Sequence, residues 1–115
     1  MTQTNQPLRA LELSHAMLDA IAPLVGRIAQ HDRSLSDQLR RAAQSVTLNL
    51  AESTGHRAGN RRLRLESALG STYETRAALR VARTWGYLPA EQTDPALTLA
   101  DRVAAMTYRL LHPRP

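Results

Sequence analysis

This chain of 115 residues contains neither cysteine nor phenylalanine, and each absence closes off a class of protein. Without cysteine there is no disulfide framework, no thiolate nucleophile and no thiolate-held metal. With aromatic residues at only 3%, the interior has to be built from Leu, Ala, Val, Ile and Met. Such a composition suits helices better than a sandwich or barrel. No apolar run approaches the roughly 20 residues of a membrane span, and no charged-then-apolar leader opens the sequence, so no membrane partner and a cytoplasmic location are expected. Lysine is missing too: all 15 basic residues are arginine, against 10 acids, for a net charge of +5. That balance is compatible with nucleic acid without requiring it.

What is present is helical periodicity in four stretches. In the first, over 8–30, Leu11, Leu18, Ile21, Val25 and Ile28 fall on one stripe. Pro23 is expected to kink it, because the ring removes a donor and crowds the Asp19 carbonyl. The second stretch carries Leu35, Leu39, Ala42, Val46 and Leu50 on its core side, with Ser34 or Ser36 as cap and Asp37 in the first turn. Gly55 is expected to stop it in a left-handed conformation, and Asn60 to cap a third helix that reaches Trp85, with Gly86 past its end. Asp94 followed by Pro95 reads as cap and first position of a last helix ending near Leu111. The expected organisation is a disordered tail over 1–7, an all-α, antiparallel up-down-up-down four-helix bundle over 8–112, and a tail over 113–115. At ~1.5 Å per residue its longer helices measure about 35–40 Å.

The third helix has more apolar surface than one monomer core uses. Ala68, Thr72 and Leu79 share one face, while Leu63, Gly70, Ala77, Val81 and Trp85 share another. The last helix repeats this, with Leu99, Val103, Met106 and Leu110 beside Leu97, Ala104, Tyr108 and Leu111. The surplus points to packing between copies, so a homo-oligomer is expected.

From Gln38 to Leu88 the chain resembles the bacterial four-helix-bundle proteins encoded by intervening sequences within 23S rRNA genes, a family that includes the accessory variability determinant of diversity-generating retroelements. The residues that carry the likeness are Gln38-Leu39-Arg40-Arg41-Ala42, Ser45, Asn49-Leu50-Ala51-Glu52, Gly55, Ala68, Gly70-Ser71, Glu74 and Gly86-Tyr87-Leu88. The chain departs from the family at Ser53 and Thr54, where a glycine and an aromatic are usual, and near Leu65, where a Phe is common. The resemblance implies a pentameric, positively charged barrel of bundles. In the retroelement branch it implies binding to nucleic acid and to a reverse transcriptase.

Between Ser53 and Leu65 stand Arg57, Arg61, Arg62 and Arg64 with His56, and no acid. A helix N-terminus already carries about half a positive charge, so each arginine in the first turn costs about 0.3–1 kcal/mol in the absence of an anion. Phosphate reverses that sign, since backbone donors, dipole and guanidinium forks then converge on it. Arg76, Arg80 and Arg83 share a face with Arg62 and Tyr73, extending the basic stripe past an aromatic suited to stacking on a base. The expected ligand is DNA or RNA, held through its backbone, because no groove-reading motif is present. Two alternatives stand beside this: a solvated arginine-rich surface, and a scaffold that docks another polypeptide without touching nucleic acid.

Arg41, Asn49, Glu52, Ser71 and Glu74 are read as a structural polar network between the second and third helices, with an acid–base pair of Glu52 and Glu74 as the catalytic alternative. Glu12 and His15 match the Glu-x-x-His spacing of di-iron bundles, but those sites need the pair twice and two further glutamates. His15, His31, His56 and His112 are scattered. No metal, no cofactor and no enzyme activity are expected.

Overall fold

The structure, a computed structural model, describes residues 2–55 and 58–114, with side chains placed for 6–55 and 59–114. Four helices, α1 (Thr2–Ala29), α2 (Arg33–Ser53), α3 (Ala58–Thr84) and α4 (Ala90–Leu111), account for nearly all of them. There is no strand among the described residues. Cross-helix hydrogen bonds fix the directions. Ser36 and Thr47 of α2 meet Val25 and Ser14 of α1, and Arg76 and Arg83 of α3 meet Asp101 and Asp94 of α4, so successive helices run antiparallel. Each helix packs on its sequence neighbours and α4 closes onto α1, which is the expected up-down-up-down bundle. It measures 44 × 22 × 20 Å.

That slenderness follows from the composition. Met17, Ile28, Leu39, Val46, Leu50, Leu79 and Val103 fill the core, each under 2% exposed. Ala10, Ala68, Ala82, Ala96 and Ala100 are fully buried among them, and their small side chains bring the helix axes close. Fully buried hydroxyls need partners, and most of them turn back on their own helices: Thr72 donates to the Ala68 carbonyl at 2.7 Å and Ser14 to that of Leu11 at 2.7 Å.

Helix boundaries differ from the sequence reading in physically instructive ways. α1 begins ahead of Leu8 and runs unbroken through Pro23. Pro23 and Asp19 both lie on the exposed side, so the carbonyl that loses its donor faces water. The cap of α2 is Asp32, not Ser34 or Ser36: its Oδ1 accepts from the Leu35 N–H at 3.0 Å. Ser36 is buried and donates to the Val25 carbonyl at 2.8 Å, a tertiary contact that removes it from capping. Asp32→Ala is expected to lower stability by about 1 kcal/mol, measurable by urea titration, with Ser34→Ala near neutral. Gly55 does not adopt a left-handed conformation; among the described residues Gly86 alone has positive φ, at 76°. There the Tyr87 and Gly86 N–H groups reach the Ala82 and Arg83 carbonyls at 2.9 and 3.0 Å, a Schellman closure of α3. α3 starts at Ala58, which places Asn60 inside its first turn. α4 starts at Ala90 with Pro89 as cap, so Asp94 is free to pair with Arg83.

Candidate nucleic-acid interface

α2 ends at Ser53, where the Thr54 N–H bonds back to the Ala51 carbonyl at 3.2 Å and the Gly55 N–H to that of Glu52 at 3.3 Å, and α3 opens at Ala58. The hinge between them is short, and Arg61 and Arg62 follow it on exposed turns of α3. Arg57 and His56 lie outside the described residues. Arg61 has no carboxylate within salt-bridge distance among the described residues. Arg62 Nε lies 3.4 Å from Glu66 Oε2, with the two side chains 60% and 52% exposed. Arg64 leans the other way, over α2: its Nε is 3.9 Å from Glu52 Oε1 and its Nη1 donates to Asn49 Oδ1 at 3.3 Å.

The stripe further along α3 is divided as well. Arg76 and Arg83 reach across to α4, with Nη1 atoms 2.9 Å from Asp101 Oδ1 and 3.2 Å from Asp94 Oδ1, and so clamp the α3–α4 register. Arg80 is exposed and has no carboxylate within salt-bridge distance among the described residues. Tyr73 is 44% exposed, and the Arg76 guanidinium sits 5.1 Å from its ring centroid. A base stacking on Tyr73 would have to share the ring with that cation.

The polar network is smaller than expected and includes a residue assigned elsewhere. Ser45 Oγ and Ser71 Oγ share a hydrogen bond of 2.8 Å. Asn49 Nδ2 donates to the Ser45 carbonyl and hydroxyl at 2.9 and 3.0 Å, and Asn49 in turn accepts from Arg64. Arg41 and Glu74 are exposed and join none of these bonds. Glu52 sits beside Arg64, and Glu74 lies ten residues further along α3, about 15 Å at the helical rise. The two carboxylates are too far apart to act on one substrate bond.

The antiparallel topology reveals basic residues that the hinge motif alone does not. An even number of helices returns both ends of the chain to the α2–α3 hinge, so Arg9, Arg109 and Arg114 join Arg61, Arg62 and Arg64 there. A cleft of about 260 Å³, lined by Arg61, Arg62, Leu65, Leu110, Leu111 and Pro113, joins the start of α3 to the end of α4. From the level of the Ser14–Thr47 hydrogen bond to this end, these six arginines face Glu12, Glu52 and Glu66. In the rest of the described chain eight arginines face seven carboxylates. The net charge is therefore concentrated at one end. The signal for it was in the sequence, as arginines near both termini, but it needs the topology to be read.

Among the described residues no three His, Asp or Glu side chains gather as a metal site would require, and no helix is long and apolar enough to cross a membrane. A family model described as 23S rRNA-intervening sequence protein matches residues 6–109. Among solved structures, the fold is similar to that of a protein of unknown function from the S23 ribosomal protein family of Bacteroides thetaiotaomicron. That likeness has a TM-score of 0.83 at 17% identity and covers 90% of this chain and 98% of the other. No curated protein matches.

Proposed function

Since the chain belongs to the 23S rRNA-intervening sequence protein family, we propose that it is a non-catalytic, self-associating accessory protein that holds the phosphate backbone of nucleic acid at the hinge end of its bundle. The observation that carries this reading is the surplus of arginine over carboxylate at that end, around the N-terminus of α3. Phosphate there meets the helix dipole and exposed guanidinium groups together. The Arg62–Glu66 pair does not oppose it: with both side chains more than half exposed, such a pair is worth at most about 1 kcal/mol and opens readily to a polyanion. Arg57, Arg61 and Arg62 are the principal contacts. Arg64, Arg76 and Arg83 contribute field while held by their carboxylates, and Arg80 with Tyr73 offers a secondary contact along α3. DNA and RNA are both candidates, because the contacts are to phosphates and not to base edges.

Self-association is supported by exposed apolar side chains on the outward face of α3, Leu63 and Trp85 being 58% and 68% exposed. Five copies is the number that the resemblance implies, and a reverse transcriptase the protein partner of its retroelement branch. The second reading, a protein scaffold without nucleic-acid contact, is favoured by one specific observation: Arg64, Arg76 and Arg83 already have intramolecular carboxylates.

Fluorescence anisotropy with generic single-stranded RNA, duplex RNA and duplex DNA separates the two. The phosphate reading expects binding at 50 mM salt, with log K falling linearly in log salt at a slope of about −3 or steeper. No detectable binding at 50 mM salt to any of the three leaves the scaffold.

A further inference from the structure

Three tyrosines and one tryptophan are all the aromatic residues of the chain, and none of them belongs to the buried core. Two of the tyrosines share one seam. Arg76 marks it, because its Nη1 lies 2.9 Å from Asp101 Oδ1 on α4 while its guanidinium sits over the Tyr73 ring of α3. Tyr108 follows Asp101 by two helical turns of α4, which keeps it on the same stripe, facing the α3 side.

The register sets these rings in a row. The pairs Arg76–Asp101 and Arg83–Asp94 mean that each step forward on α4 is a step back on α3. Tyr108 therefore stands level with Leu69, one turn from Tyr73, and His112 level with Leu65, one turn from Arg61 and Arg62. His112 packs against Tyr108, with ring centroids 4.4 Å apart and planes tilted by 43°. Leading away from the cleft of Arg61 and Arg62, the seam offers His112, Tyr108 and Tyr73 in order, at levels one helical turn, ~5.4 Å, apart. Arg80, one turn past Arg76, ends the row with an exposed guanidinium that has no carboxylate partner among the described residues.

The rings are held without being covered. Arg76 braces Tyr73 and His112 braces Tyr108, yet the two tyrosines stay 44% and 51% exposed. Glu66, Asp94 and Asp101, the carboxylates along this seam, are each paired with an arginine, which offsets their repulsion of a phosphate chain. Exposed rings interleaved with guanidinium groups suit unpaired bases, since every base has a π-face to stack and the phosphates between bases meet the arginines. A duplex cannot use such a row. Its bases are stacked on one another at ~3.4 Å per step and present only their edges, whereas a single strand can splay its bases onto protein rings.

We propose that the α3–α4 seam is a stacking platform for single-stranded nucleic acid, with phosphates at Arg61, Arg62 and Arg80 and bases on Tyr108 and Tyr73. This rests on the phosphate-binding role proposed above and narrows it from nucleic acid in general to unpaired strands. His112 and Arg76 are positioning residues that hold the two rings in place.

Fluorescence anisotropy of the full chain with a labelled oligoadenylate RNA, alone and annealed to oligouridylate, reads the difference. The single strand is expected to bind at least about 10-fold more tightly than the duplex at 50 mM salt. Tyr73→Leu and Tyr108→Leu are each expected to weaken single-strand binding about 10-fold without changing the salt slope, because stacking releases no counterions. Tyr73→Phe and Tyr108→Phe keep a ring and are expected to bind as the wild type does. Far-UV circular dichroism is expected to be the same for all four, since both positions are exposed. Equal affinity for the two probes, or leucine variants that bind the single strand as tightly as the wild type, overturns the platform and leaves phosphate binding standing. No binding of either probe at 50 mM salt overturns both.

Discussion

Replacing Arg57, Arg61 and Arg62 together by alanine is expected to weaken binding to generic RNA on the order of 10- to 100-fold at 50 mM salt and to make the salt slope shallower by about 2. The magnitude comes from counterion release, at ~0.7–0.9 of slope for each phosphate neutralised. The contrast variant is Arg76→Ala with Arg83→Ala. Those side chains are committed to Asp101 and Asp94 across α4, so their removal is expected to change the slope by less than about 1 and to show its main effect in the thermal stability of the α3–α4 pair. Equal effects of the two sets on the slope would mean that the track along α3, and not the hinge, grips the backbone. No effect of either would remove the phosphate role.

Leu39→Ala is expected to destabilise the bundle by about 3 kcal/mol, within the 2–5 kcal/mol range for truncating a fully buried leucine. For a chain of this size that corresponds to roughly 10–15 °C in melting temperature. Leu39 is 0% exposed and sits in a core with no phenylalanine to shift into the space. Leu48 on the same helix is 61% exposed, and Leu48→Ala is expected to stay within about 0.5 kcal/mol. Urea titration of both at the same protein concentration checks the contrast. A Leu39→Ala loss below about 1 kcal/mol would mean that the core is too loosely packed to register a cavity.

Helix number and order, and the core faces of α2 and α3, were legible from spacing, because a period of 3.6 is imposed on every buried stripe; in α1 and α4 the buried stripe is offset from the expected one, running through Met17 and Leu24 and through Ala96, Ala100 and Leu111, while Leu18, Val25, Leu99 and Met106 are half-buried beside it. Caps were less legible where several candidates compete locally. Asp32, Ser34 and Ser36 all have the chemistry to start α2, and the choice of Asp32 depends on the α1 carbonyl of Val25 claiming Ser36. Asp94–Pro95 makes a plausible start for α4 on local grounds, but Asp94 is drawn to Arg83 instead. The candidate site shows the same division. Arg62–Glu66, an (i, i+4) pair, can be seen in the sequence, whereas Arg64–Glu52, Arg76–Asp101 and Arg83–Asp94 depend on how helices slide past one another. The arginines that gather at the hinge from both ends of the chain were missed for that reason.

The return of both chain ends to the hinge matters at the bench. An affinity handle appended to either end would hang across the arginine cleft and screen it. The opposite pole, where His31 stacks on Tyr87 at 4.9 Å, is the better place for a reporter. With no native thiol in the chain, a single engineered cysteine there would accept a maleimide dye at one site, as far from the hinge arginines as the molecule allows.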